Sequence, residues 1–116
     1  MQRKFRLTRS EDFKRVRRFG KSYAHPLAVL VVQANDDAQL RVGVAAGRTV
    51  GMAVKRNRAK RLLREAMRTL IPSIVTGWDL ILIARPALLS STLVEIRGVL
   101  LTLLHRADLI SRTDAT

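Results

Sequence analysis

Leu40, Val42 and Val44 alternate with Arg41, Gly43 and Ala45, the two-residue period of a strand with one wholly apolar side. Trp78 to Arg85, WDLILIAR, is a short apolar run between Gly77 and Pro86, the pattern of a buried strand. Between them the period changes. At about 100° per residue, Ala59, Leu62, Leu63, Ala66, Met67 and Leu70 fall on one side of a helix, which Ile71-Pro72 ends. Nearly opposite lie Arg56, Lys60, Arg64 and Arg68, each four residues from the next, with Asn57 and Arg61 beside them. Upstream, Thr8 and Glu11 have the T-x-x-E spacing of a capping box, which predicts a helix from Thr8 to about Arg17, stopped by Gly20. Lys21 to Ala34 reads as extended chain interrupted at His25-Pro26, giving strands over about Lys21–Ala24 and Leu27–Gln33; the polar run Asn35–Gln39 is a turn.

After Pro86, Thr92 and Glu95 offer a second capping box, and an amphipathic helix follows to about Ile110. Gly98 inside it costs up to about 1 kcal/mol relative to alanine. The predicted order is α-β-β-β-α-β-α, which implies an α/β (α+β) two-layer sandwich with helices packed on a four-stranded sheet. At 116 residues the chain is expected to form one domain over residues 1–116, with a frayed tail from about 111.

Composition adds one anomaly, a formal net charge of +13. Met1 to Tyr23 carries nine of the 22 Lys and Arg, and Arg41 to Arg68 another nine, leaving the Leu-rich last third near neutral. So large an excess repels itself and points to a polyanionic partner. The chain has no cysteine, which excludes disulfides and thiolate metal sites and fits a reducing cytosol. Its longest apolar runs fall short of the ~18 residues of a membrane span, and MQRKFRLTRSEDF has no apolar signal core, so a cytoplasmic protein is expected.

The charge is densest in KRNRAKRLLREAMR, Lys55 to Arg68, with seven basic residues and one acid, Glu65. Like charges at i,i+4 cost roughly 0.2 to 0.5 kcal/mol per pair, so the row from Arg56 to Arg68 costs about 1 kcal/mol that folding does not require. A solvated helix face would interleave Glu with Lys or Arg. This one presents a cationic ridge about 18 Å long, mostly of Arg, whose fork pairs bidentately with phosphate. Asn57 can hydrogen-bond sugar or base, and taken alone could equally be an early-turn capping residue.

RVGVAAGRTVGMAVKRNRAKRLLREAMR resembles the signature of the bacterial ribonuclease P protein component: R-x-G on a strand, a small loop, G-x-A-V, then R-N-R-x-K-R-x-x-R-E on a helix. The pattern is met by Arg41 and Gly43, by Gly51, Ala53 and Val54, and by Arg56, Asn57, Arg58, Lys60, Arg61, Arg64 and Glu65. RLTRSEDFKRVRRFGK resembles the family's opening helix, with Leu7, Phe13, Val16 and Gly20 in place, and WDLILIARP its last strand. The resemblance implies a subunit that binds the ribonuclease P catalytic RNA and precursor tRNA, in a ribonucleoprotein that removes the tRNA 5′ leader. The chemistry would be carried by RNA and magnesium, with no catalytic protein residue. It also implies that Arg56, Asn57, Arg58, Lys60, Arg61, Arg64 and Arg68 bind RNA, and that a left-handed β-α-β crossover is present. A cleft between the opening helix and the sheet would hold the leader, with Phe13 and Arg48 matching family positions. Arg17 stands where the family often has an aromatic, with Phe19 two residues on as a substitute, so Phe13, Arg17, Phe19 and Arg48 are the leader contacts the resemblance implies; the family's strand aromatic falls at about Val31.

The residues taken alone leave other classes open. A ribosomal or RNA-assembly protein would share the charge and the sandwich. DNA reading is disfavoured, because the ridge is nearly pure cation and only Asn57 is fitted to base edges. Membrane-surface binding is disfavoured because the cationic helix has no aromatic on its apolar side. An intrinsic nuclease site lacks its parts: His25 and His105 have no obvious acid partner, and Asp36 with Asp37 reads as a turn.

Overall fold

The computed structural model describes residues 5–110. Four strands form: β1 (Lys21–Ala24) from the mixed segment KSYA, and β2 (Ala28–Ala34), β3 (Arg41–Ala46) and β4 (Trp78–Ala84) from runs rich in β-branched and aliphatic residues. They pair in the order β1-β2-β4-β3, antiparallel except for β3 with β4, which run parallel. A parallel neighbour needs a crossover, and α2 (Ala53–Arg68) supplies it. The remaining helices are α1 (Ser10–Phe19) and α3 (Leu93–Arg106), and 3₁₀ turns occupy Arg48–Val50, Ile71–Ser73 and Pro86–Ser90.

Strand alternation divides the core. Leu30, Val32, Val42, Val44, Leu80 and Leu82 point to the face covered by α2 and α3, where they meet Leu63, Met67, Leu100 and Leu104. Val31 and Ile81 point the other way, under Leu7 and Val16. Helices therefore lie on both faces: α2 and α3 with the sheet make the two expected layers, and α1 covers part of the opposite side. Two glycines permit α1 to sit close. A Cβ on Gly43 would fall 2.5 Å from Phe13 Cζ, and one on Gly20 2.7 Å from the Val32 carbonyl oxygen.

Of the two capping boxes, one forms. Thr92 Oγ1 accepts from the Glu95 N–H at 3.1 Å while Glu95 Oε1 accepts from the Thr92 N–H at 3.0 Å. The Thr8–Glu11 box does not form, and α1 starts at Ser10 with Arg9 as an uncapped N-terminus. The cause is the strand edge. The Leu7 N–H donates to the Val42 carbonyl at 2.9 Å and Arg6 bridges Val42, so the chain is held extended along β3 until it can turn. At the other end α3 stops at Arg106, short of Ile110, because Asp108 takes φ 59° and the Leu109 N–H returns to the Leu104 carbonyl. Gly98 lies within an unbroken α3. The expected frayed tail from 111 falls outside the described residues.

Asp79, at the start of β4, is fully buried. It accepts hydrogen bonds from Arg15 Nη2 at 2.5 Å, Asn35 Nδ2 at 2.9 Å and Arg41 Nε at 3.0 Å. Arg15 also donates to Gln33 Oε1 and to Asp12 Oδ1. Burial is the largest influence on this carboxyl and pushes it up, but the donors from Arg15, Asn35 and Arg41 together outweigh burial and hold it below the usual carboxylate range. One carboxylate thus ties α1 to the ends of β2, β3 and β4.

Removing Asp79 strands two guanidinium groups. Asp79→Ala should therefore cost about 3 to 5 kcal/mol in urea unfolding at neutral pH. A depressed carboxylate contributes stability that is complete above its unfolded value, near 3.9, and lost as pH falls through the lower folded value. Asp79→Asn should accordingly flatten the acid limb of a stability-against-pH curve, and an unchanged limb would remove this group from the account. Gly98→Ala should act oppositely, raising stability by up to about 1 kcal/mol in a thermal melt, since a Cβ there meets nothing within 4 Å.

Candidate nucleic-acid interface

Four residues advance an α-helix by slightly more than one turn, so an i,i+4 row drifts about 40° per step around the axis. On α2 that drift decides which cations face solvent. Ala59, Leu63, Ala66 and Met67 are buried. Arg56, Lys60 and Arg64 lie half-buried on one flank, and the exposed crest consists of Asn57, Arg58, Arg61, Glu65 and Arg68. The ridge expected along Arg56, Lys60, Arg64 and Arg68 is thus rotated toward Asn57, Arg58 and Arg61. Arg68 donates to Glu65 at 2.8 Å, a bond that holds the Glu65 carboxyl below its ordinary value. Arg58 and Arg61 have no acid partner among the described residues.

Arg64 is differently placed. With Arg6, Thr8, Phe13 and Gly43 it lines a hollow of about 220 Å³ beside the β3 edge. Burial pushes its guanidinium down from the ordinary value, and the nearby charge of Arg6 adds to the shift. No carboxylate balances either arginine among the described residues. Two unneutralised forks around one concavity suit an anion such as a phosphate oxygen pair. The sequence assigned Arg64 and Phe13 to separate surfaces, and the structure brings them to one.

Phe13 is half-buried over Gly43, against the cluster that holds Val31 and Ile81. α1 covers the rung of Val31, Ile81 and Gly43 but leaves the next rung open. Ala24, Val29, Ile83 and Ala45 stand side by side across all four strands, and none is fully buried. This apolar strip spans about 14 Å at strand spacing. Sequence reasoning missed it, because nothing in AVLVVQA or LILIA tells which of two apolar faces a short helix will fail to cover. Arg17, one turn from Phe13 on α1, is exposed, and Arg48 stands exposed three residues beyond Ala45. Phe19 is 66% exposed, with the Arg18 guanidinium 5.2 Å from its ring centroid. It lies six residues from Phe13, about 120° around the helix, outside the Phe13 cluster.

Acid-base and metal chemistry finds little here. His25 Nδ1 accepts from the Leu27 N–H at 3.1 Å, and His105 Nε2 is buried without a hydrogen-bond partner. Among the described residues no three His, Asp or Glu gather to hold a metal ion. No helix among them is long and apolar enough to cross a membrane.

Residues 1–108 match the family model described as Ribonuclease P. The chain is 39% identical over 109 residues to the ribonuclease P protein component of Dehalococcoides mccartyi, covering 94% of this chain and 89% of that one. It is 37% identical over 111 residues to that of Chloroflexus aurantiacus, covering 95% and 82%. The solved RNase P protein of Staphylococcus aureus superposes with a TM-score of 0.81 at 29% identity, covering 92% of this chain and 98% of that one. The Thermotoga maritima RNase P protein gives 0.77 at 30% identity, covering 87% and 96%. Superposition at this level runs through β3, α2 and β4, so their crossover has the hand it has in those proteins. A family match over nearly the whole length, relatives above one third identical and a shared fold together establish that the chain belongs to the ribonuclease P protein family.

Proposed function

We propose that the α2 crest binds ribonuclease P RNA, that the hollow and open strip beside α1 take the 5′ leader of precursor tRNA, and that the protein thereby assists leader removal. Family membership makes the chain a protein component of ribonuclease P, with its role in tRNA 5′ processing. The division of surfaces within the chain is our reading. Its chief support is the uncompensated charge of Arg58 and Arg61 on a helix whose other side is wholly committed to the core. Asn57 adds an amide to that crest, Arg56 and Lys60 flank it, and Arg68 joins it by exchanging Glu65 for a phosphate.

On the leader side, Arg64 and Arg6 would hold a backbone phosphate while Phe13 offers a ring face to a base above the Val29–Ile83–Ala45 floor. Arg17 and Arg48 flank this path, and Phe19 stands at its rim on the far end of α1. With one ring in the cleft, the grip is mainly electrostatic; stacking contributes roughly 1 to 3 kcal/mol per base. Magnesium enters as an ion held by the RNA, which carries out phosphodiester hydrolysis. The setting is cytoplasmic.

Reconstitution with the cognate ribonuclease P RNA at low magnesium tests the whole reading. Precursor cleavage should require both parts, and recovery of ribosomal RNA alone in a pull-down would favour an assembly protein. Arg58→Ala and Arg61→Ala should each flatten the dependence of log K on log salt by up to ~1, with an unchanged slope in both removing the crest from the RNA interface. Phe13→Leu preserves an apolar side chain over Gly43 but removes the stacking face. It should weaken binding of precursor tRNA with a long leader and leave mature tRNA binding unaltered; equal loss for both would mark Phe13 as a packing residue.

A further inference from the structure

A second group of cations lies away from α2. β1 is the outer strand on the side opposite β3, and α2 packs over β3 and β4 while α3 packs over β2 and β1. On that far edge Lys21 Nζ stands 5.4 Å from the centroid of the Tyr23 ring, and Arg106 Cζ 5.8 Å from the same centroid. Arg106 reaches there from the last turn of α3, and its Nη1 donates to the Ala24 carbonyl at 2.9 Å. Next to it, His25 and Arg85 line a hollow of about 420 Å³ with Ala24 and Pro26. The Leu27 N–H occupies His25 Nδ1, so the neutral ring carries its proton on Nε2 as a donor.

Among the described residues no carboxylate neutralises these cations, although Arg106 also ties α3 to β1 through the Ala24 carbonyl. The ion pairs among the described residues join Arg15 to Asp12 and Asp79, Arg41 to Asp79 and Arg68 to Glu65, and none includes Lys21, Arg85 or Arg106. A lysine on an outer strand guards against edge pairing, which accounts for Lys21. It does not account for a guanidinium brought from another element to the same ring. Two long side chains held on an aromatic have already lost rotamer freedom, so they bind phosphate with a smaller entropic penalty than free surface cations.

We propose that Lys21, Tyr23, His25, Arg85 and Arg106 form a second RNA-backbone surface, so that the protein sits between two RNA segments, one on α2 and one on the β1 edge. The inference rests on the ribonuclease P reading. The backbone could belong to ribonuclease P RNA or to precursor tRNA, and two binding measurements separate them: protein with ribonuclease P RNA, and holoenzyme with precursor tRNA. Lys21→Gln, which removes a charge over the Tyr23 ring, should flatten the log K against log salt slope by ~1 in one of the two, and Lys21→Gln with Arg106→Gln by ~2. Unchanged slopes in both, beside a flattened slope for Arg61→Ala, overturn the second surface and leave the α2 reading standing; if Arg61→Ala is silent as well, both fall. Because the chain has no cysteine, a hydroxyl-radical-generating iron chelate can be tethered singly at Thr102→Cys, one turn from Arg106, or at Asn57→Cys. The Thr102 tether should cut a different RNA segment from the Asn57 tether. Cuts at the same nucleotides, or none, would overturn the proposal.

Discussion

A carboxylate with no solvent must be surrounded by donors, and Asp79 imposes that condition on the whole upper end of the sheet. Satisfying it fixes Arg41 on the neighbouring strand, Asn35 in the β2–β3 turn and Arg15 on α1. Arg15 is the member that places α1, because it is the polar anchor of a ten-residue helix with one fully buried residue, Val16. Anchored at Asp79 and wedged over Gly43 by Phe13, α1 covers two rungs of the sheet face and ends before the third. The open strip of Ala24, Val29, Ile83 and Ala45 follows from where that one salt bridge pins the helix.

Much of this was legible in the chain. The periods of LRVGVAA and WDLILIA gave β3 and β4 because a strand's two faces have fixed parity, and the apolar stripe of α2 predicted its buried side residue for residue except for half-buried Leu62. Thr92 and Glu95 formed their box because nothing else competes for the chain there. Thr8 and Glu11 did not, since the edge of β3 takes the preceding backbone first. Local capping chemistry was outweighed by a tertiary hydrogen bond, which no spacing rule displays.

The site was less legible than the fold, for two physical reasons. Asp79 sits inside an apolar run, where it reads as an irregularity until its partners, 38 and 64 residues away, are in place. The cationic row on α2 is visible in the sequence, but the drift of an i,i+4 row around the axis selects the outward cations only once the direction of packing is fixed. Once Leu63 and Met67 define the buried side, Arg61 faces outward and Arg64 falls into the hollow with Arg6 and Phe13. A signal was available: Arg64 is adjacent to Leu63 and three residues before Met67, so it borders the apolar stripe while Arg61 does not.

That rotation has a consequence for how one small protein can serve two RNA strands. Arg61 and Arg64 are three residues apart on a helix that Ala59, Leu63, Ala66 and Met67 lock to the sheet. Their separation is therefore set by core packing and not by a loop. A helix with its side chains is about 10 Å across, so RNA strands bound as proposed at the crest and at the hollow would be held within about one helix diameter of each other. On the function proposed above, such a spacer would contribute by position, fixing how near the leader could lie to the RNA that the crest would engage. Rigidity is the property this requires, and the crossover helix supplies it, since its two ends are both tied into parallel strands of the same sheet.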